Sequence, residues 1–184
     1  MMELYLLRHA LAADRGTPGV EDDSRRPLTP EGRDKMHRIA MGMGTLGLSF
    51  DRIVSSPFER AKATAEIVAG ALTKGGRLAF SEHLTPTGNP SLLVRELRRH
   101  RGPDQRLLVV GHEPFLSRFA GTLMGGGASV KLKFKKGGLG KLTIDRLEFG
   151  PCAELEWLLT PRHLTLLARR ATPQGGGRER KPTN

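Results

Sequence analysis

The sequence predicts an α/β protein: a three-layer α/β/α sandwich with a mostly parallel central sheet and an antiparallel C-terminal hairpin at its edge. Three observations carry this. Leu4–Leu7, Arg52–Val54 and Leu107–Val110 are short runs rich in Leu, Ile and Val, of strand length. Each leads into a polar signature and then a helical pattern, the alternation expected of parallel strands covered on both faces. Past Gly137 the pattern switches to polar–apolar alternation in "GLGKLTIDRLEF" and "AELEWLLTP", joined at Gly150–Pro151, which predicts a β-hairpin.

The elements follow in order. Leu4–Leu7 runs directly into Arg8 and His9. In "LTPEGRDKMHRIAMGMGTL" Thr29 is placed to cap a helix that Pro30 opens, with Met36, Ile39, Met43 and Leu46 on its inner face. After Arg52–Val54, "SSPFERAKATAEIVAGAL" has Ser56 as the cap, Pro57 at the first helical position and Glu59 completing a capping box. Ala61, Ala65, Val68 and Leu72 then form one buried stripe. Pro90 starts a helix that ends near "RELRRHRG". Leu107–Val110 leads to Gly111–His112, after which Pro114 opens another helix.

At 184 residues the chain reads as one domain over residues 1–168. The segment after Leu167, "RRATPQGGGRERKPTN", is too poor in apolar groups to fold, so residues 169–184 are expected to be a basic, disordered tail. A single cysteine, Cys152, excludes an intramolecular disulfide and fits a reducing compartment. Arg8 and His9 interrupt the N-terminal apolar run before it reaches signal-peptide length, and no stretch approaches the roughly 20 apolar residues of a membrane span. A cytoplasmic protein with no membrane attachment is therefore expected.

The net charge is +11, of which +4 lies in the tail, where five basic residues face only Glu179. Such a balance suits an anionic partner. Aromatic residues make up only 5%, too few for the stacking platforms of single-strand readers, which argues against nucleic acid. The glycine- and lysine-rich "GGASVKLKFKKGGLGK" fails the spacing of a phosphate loop: Lys135 stands where the first glycine belongs and Leu142 where Ser or Thr belongs.

Ligands of open α/β sheets bind outside the carboxyl ends of the parallel strands. Three such ends here carry Arg8–His9, the Ser55–Arg60 segment and Gly111–His112. Were these strands neighbours, Arg8, His9, Arg60 and His112 would converge on one pocket. Two arginines and two histidines with no evident carboxylate among them suit a phosphoryl group, because the guanidinium fork matches phosphate oxygens bidentately. The start of the helix after Ser56 adds unpaired N–H groups and a positive dipole end. A metal fits poorly: adjacent arginines repel a cation, and no HxxxH-type ligand spacing occurs. No cofactor is implied.

The segments "LYLLRHALA", "SSPFERAKATAE" and "VVGHEP" resemble the histidine phosphatase superfamily, which includes the phosphoglycerate mutases. "RPLTPEGRDKM" and the small size resemble its SixA-type phosphohistidine phosphatase branch. The resemblance implies that His9 is a nucleophile phosphorylated on a ring nitrogen and that Arg8 and Arg60 hold phosphoryl oxygens. It implies that His112 donates to a non-bridging oxygen. Ser56, at the start of the helix, is expected among the substrate-binding residues with Arg8, Arg60 and His112. Neutral imidazole is the attacking form, and Arg8 and Arg60 are expected to favour it. The other ring nitrogen is expected to donate to a backbone carbonyl.

There are two departures from the family pattern. The usual Arg-His-Gly reads Arg-His-Ala here, with Ala10 third. Larger relatives carry an acidic residue after the third strand to protonate an alkoxide; the candidates here are Glu82 in "FSEHLTP" and, more weakly, Asp14. A phosphohistidine leaving group dispenses with such an acid, and the short stretch between Leu84 and Leu107 leaves little room for an enclosing lid. The expected substrate is phosphohistidine on a signalling protein. The alternatives are small phosphoesters or other phosphorylated anions, or phosphate binding without catalysis.

Overall fold

The computed structural model describes residues 1–73, 77–99, 106–126 and 130–171. Six strands, β1 (Met2–Arg8), β2 (Arg52–Ser55), β3 (Arg77–Phe80), β4 (Arg106–Gly111), β5 (Leu139–Ile144) and β6 (Ala153–Leu159), form one sheet in the order β3-β2-β4-β1-β5-β6. The first four are mutually parallel; β5 runs antiparallel to β1, and β6 antiparallel to β5. The expected hairpin is therefore present at the edge. Among the described residues, five α-helices surround the sheet: α1 (Pro30–Thr45), α2 (Glu59–Leu72), α3 (Pro90–Arg99), α4 (Phe115–Gly125) and α5 (Pro161–Ala171).

Strand alternation divides the core into two layers. Tyr5, Leu7, Ile53, Leu108 and Val110 face α1, α2 and α5. Leu4, Leu6, Val54, Leu107 and Val109 face α3 and α4. The central strands β2, β4 and β1 are apolar on both faces, so they read as continuous Leu/Ile/Val runs rather than alternating ones. This is the three-layer α/β/α sandwich expected from sequence.

Local differences have physical causes. β3 went unforeseen because it is four residues long, half-exposed and on the sheet's outer edge. Helix α5 also lay outside the expectation. Its Leu164 and Ala168 are buried, and it carries Arg169, Arg170 and Ala171 past the boundary set by composition at residue 168. The remainder of the expected tail, residues 172–184, lies outside the described residues. Thr29 caps α1 as expected, its Oγ1 accepting from Gly32 N at 2.9 Å. Leu46, expected on the inner face, instead sits beyond the last helical residue and is exposed. Pro114 precedes α4 rather than opening it, and the Glu113–Pro114 peptide is cis.

The largest correction concerns Ser56. Helix α2 begins at Glu59, with Phe58 as its cap residue and no side-chain cap, so neither the Ser56 cap nor Pro57 at the first helical position is realised. Ser56 N instead donates to Val110 O at 2.9 Å, which holds Ser56 against β4 beyond the end of β2. The chain needs Pro57 and Phe58 to turn from strand to helix, and the first helical carbonyl is Phe58's, accepting from Ala61 N and Lys62 N.

Candidate active site

The strand order makes β2, β4 and β1 consecutive, so their carboxyl ends adjoin. Arg8 is the last residue of β1 and is paired with Gly111 of β4; Ser55 ends β2 opposite Val110. The backbone beyond β1 is then tied on both sides. His9 N donates to Gly111 O at 3.0 Å, Arg8 N to Gly138 O at 3.1 Å, and Gly137 N to Arg8 O and His9 O at 3.0 and 3.1 Å. The imidazole of His9 is thus delivered by a strand end held from two neighbours.

The four expected residues come together. His9, Arg60 and His112 are 6%, 2% and 1% exposed, deep burial for three polar side chains at a strand edge. The two imidazole centroids are 5.0 Å apart. Phe58 packs its ring against His112 at 5.2 Å and lies beneath the Arg60 guanidinium, 5.1 Å from its centroid. A cationic guanidinium over an aromatic face is an attractive contact and fixes the plane of the fork.

Hydrogen bonding sorts the ring nitrogens. His9 Nδ1 lies 2.7 Å from Ala10 O; a carbonyl can only accept, so Nδ1 carries the proton and Nε2 keeps its lone pair. This is the arrangement expected for the other ring nitrogen. His112 Nε2 lies 2.9 Å from Ser56 Oγ, and the same hydroxyl accepts from Phe58 N at 3.3 Å. Ser56 is fully buried and engaged with His112.

Burial is the main reason both imidazoles are neutral. It pushes His9 down to about 3, against the raising effect of its bond to Ala10 O, with the charges of Arg60, Arg8 and Lys136 adding to the fall. His112 is pushed down to about 2 by burial first, then by His9 and Arg60. The arginines act in the expected direction, but desolvation outweighs them.

Four groups went unforeseen. Asp23, in a short 3₁₀ turn (Asp23–Arg25) of the β1–α1 connection, accepts from Arg60 Nη2 through Oδ2 at 2.9 Å and from Arg60 Nη1 through its backbone carbonyl at 2.6 Å. Glu113 accepts from Phe134 N and Ser117 Oγ through Oε1, and its charge bears on Arg8. Carboxylates therefore do stand behind the arginines, contrary to the sequence reading. Thr64 Oγ1 accepts from Ala10 N at 3.1 Å and donates to Arg60 O at 2.6 Å, linking the loop after His9 to helix α2. Phe58 is the fourth. A threonine inside the apolar stripe of α2 was the one visible sign among them.

Glu82 is exposed on a 3₁₀ turn (Glu82–Leu84) after β3, the outermost strand, and Asp14 is exposed in the β1–α1 connection. Neither side chain hydrogen-bonds to Arg8, His9, Arg60 or His112. Between Leu84 and Leu107 the described chain forms helix α3, packed on the sheet through Leu93, Val94 and Leu97.

Among the described residues, five buried side-chain nitrogens lack a hydrogen-bond partner, and three of them belong to this cluster: Arg8 Nε, Arg60 Nε and His112 Nδ1. Arg8 spends Nη1 on Phe134 O at 2.9 Å, and Arg60 spends Nη1 and Nη2 on Asp23. Buried polar groups without partners are costly, so three around one imidazole mark a place for an acceptor-rich ligand.

The chain matches the family described as Histidine phosphatase superfamily (branch 1) over residues 4–84. It is 37% identical over 139 residues to an uncharacterized protein of Picosynechococcus sp., covering 75% of this chain and 82% of that one. To the phosphohistidine phosphatase SixA of Escherichia coli it is 26% identical over 166 residues, 90% of this chain and 98% of that one. A solved structure of the protein histidine phosphatase SixA complexed with tungstate superposes with a TM-score of 0.75 at 27% identity, covering 89% of this chain and 99% of that one. No helix among the described residues is long and apolar enough to cross a membrane.

Proposed function

Because this chain belongs to the histidine phosphatase superfamily, and is a phosphatase, we propose that it dephosphorylates phosphohistidine on a protein through a phospho-His9 intermediate. The observation that supports this reading is the trio of unpartnered buried nitrogens, Arg8 Nε, Arg60 Nε and His112 Nδ1, around an imidazole whose Nε2 is left with its lone pair. The likeness to SixA supports the choice of phosphohistidine.

His9 Nε2 attacks phosphorus, the bond from phosphorus to the substrate's imidazole nitrogen breaks, and that imidazole takes a proton from solvent. Water then attacks the phosphorus of phospho-His9, releasing inorganic phosphate and returning His9 to its neutral form. Arg8 and Arg60 each donate Nε–H to a non-bridging oxygen. The Ser56 hydroxyl donates to His112 Nε2, which sets the remaining ring proton on Nδ1, where it donates to a third oxygen. Each arginine at ~4 Å from a phosphate charge contributes roughly 4 kcal/mol at an effective dielectric of 20, before desolvation. Because Asp23 and the Ala10 carbonyl already hold Arg60 and His9, little reorganisation accompanies the reaction. An imidazole leaving group does not require a committed acid, which is consistent with the exposed positions of Glu82 and Asp14.

The test is rapid quench with a 32P-phosphohistidyl protein, alongside phosphate-monoester turnover. Wild type is expected to carry an acid-labile, alkali-stable label that His9→Ala lacks, with phosphohistidine preferred over the monoester. No label in wild type, or the same label in His9→Ala, refutes the intermediate. A preference for the monoester reassigns the substrate.

A further inference from the structure

A cavity of about 570 Å³ opens beside the site, lined by Arg8, Ala10, Leu11 and Phe134 at one end and by Lys35 and Ile39 of α1, Lys133, Lys135, Lys136 and the Thr160–Arg162 start of α5 around the rest. His9, Arg60 and His112 are not part of its lining, so it is a separate compartment that meets the phosphoryl position through Arg8 and Ala10, the residues on either side of the nucleophile. Its volume falls within the range of pre-formed binding pockets.

Its charge is one-sided. Among the described residues, Lys35, Lys133, Lys135, Lys136 and Arg162 all line it, no carboxylate does, and none of the five forms an ion pair. Pro161 opens α5 there, so the positive end of an 11-residue helix adds to the field. Between the cations the lining is apolar, with Leu11 partly accessible and Ala10, Ile39, Phe134 and Pro161 packed closely behind it. An occupant therefore needs both negative charge and an apolar body. Nucleic acid fits poorly, because the one aromatic ring in the lining, Phe134, is 1% exposed and offers no face for a base to stack on. A bare inorganic anion would leave Leu11 uncovered.

We propose that this compartment binds an acidic segment of the phosphorylated protein, Asp or Glu residues around an apolar side chain, next to the residue being dephosphorylated. The proposal rests on the phosphatase reading and adds to it the sequence context of the substrate. Arg8 is shared: its unpartnered Nε is the group assigned to the phosphoryl oxygen, and the same residue lines the compartment.

The experiment uses two fluorescent phosphohistidyl peptides of equal length, one flanked by Asp, Glu and Leu, the other with Asn and Gln in place of the acids. Wild type is expected to favour the acidic peptide by at least about tenfold in kcat/KM, the scale of several exposed ion pairs acting together. Lys35→Gln/Lys133→Gln/Arg162→Gln is expected to bring the ratio to near one. The unphosphorylated acidic peptide is also titrated onto the His9→Ala protein by anisotropy at about 150 mM salt, where long-range attraction is screened. Equal turnover of the two peptides, or a ratio untouched by the triple substitution, overturns the proposal. Tighter binding of tripolyphosphate or of a single-stranded oligonucleotide than of the peptide also overturns it. Peptide binding that depends on the three cations, without any turnover, upholds the compartment while refuting the phosphohistidine reading.

Discussion

Asp23 holds Arg60 at two points, its backbone carbonyl accepting from Nη1 at 2.6 Å and its carboxylate from Nη2 at 2.9 Å. Both contacts lie on the terminal edge of the guanidinium, so the Nε edge is the one left for a phosphoryl oxygen. A free arginine side chain would have to give up rotamer freedom on binding substrate; here that ordering belongs to the folded state. Asp23→Asn keeps the backbone contact and weakens the charged one. It is expected to lower kcat/KM about tenfold, equivalent to roughly 1.4 kcal/mol of transition-state stabilisation, on every phosphorylated substrate alike. Unchanged steady-state kinetics would show that the Asp23 backbone carbonyl, Phe58 and burial orient Arg60 without the carboxylate charge.

Thr64 supports the same pair of residues from the other side. Its hydroxyl accepts from Ala10 N and donates to Arg60 O. Thr64→Val preserves shape but leaves a buried N–H unmet, so unfolding free energy is expected to fall by about 1–3 kcal/mol. Thr64→Ser, which restores the hydroxyl, is expected to recover most of that loss in urea denaturation. Equal stability of the Val and Ser variants would contradict the assignment.

What the sequence made legible follows from how much a local pattern carries. The parallel core was readable because Leu4–Leu7, Ile53–Val54 and Leu107–Val110 are buried on both faces and stay apolar throughout. Arg8, His9, Arg60 and His112 were readable because each stands next to such a strand or one turn beyond it. Asp23 was not, since it reaches Arg60 across 37 residues from a loop with no periodicity. Ser56 was misplaced for a related reason. Capping chemistry is local, but the hydrogen bond from Ser56 N to Val110 O is tertiary and prevailed. Helix α5 escaped notice because, of its Leu and Ala side chains up to residue 168, only Leu164 and Ala168 are buried, and its covering partner, α1, lies over 100 residues earlier.

Stability is expected to fall with acid in a way the two imidazoles set. Their folded pKa values, about 3 for His9 and about 2 for His112, lie below the ordinary 6.5. The unfolded chain therefore binds protons that the folded one does not, and the contribution is fully present above pH 6.5. It is lost as pH falls from there toward 3 and 2. At pH 5 each histidine costs about 2 kcal/mol by linkage. Urea titrations at pH 7 and pH 5 are expected to differ more for wild type than for His9→Asn/His112→Asn. An identical pH difference in both proteins would mean that carboxylates dominate.

The acid question has a direct answer in kinetics. With Glu82 and Asp14 both exposed, Glu82→Gln and Asp14→Asn are expected to change phosphohistidine turnover by less than about twofold, well short of the 10²-fold or more that general-acid catalysis contributes. A hundredfold loss in either variant, confined to substrates with alkoxide leaving groups, would instead identify that carboxylate as an acid for monoesters.

Gly137 is where the sheet, the active site and the basic compartment meet. Its N–H donates to the carbonyls of both Arg8 and His9, and its φ of +77° is one that side-chain-bearing residues adopt at a cost. A Cβ there would also come within 2.7 Å of Ile39 Cδ1, on the wall of the cavity. Gly137→Ala therefore combines backbone strain, about 1–3 kcal/mol, with a push against the end of a flexible side chain. Ile39→Val shortens that side chain and separates the two effects. The double variant is expected to regain the part of the stability due to the clash but to keep a reduced kcat, because the strained turn still displaces the Gly137 N–H that holds the carbonyls of Arg8 and His9. Full recovery of kcat in the double variant would show that the turn is a packing element alone, and that His9 is positioned by Gly111 and Thr64 without it.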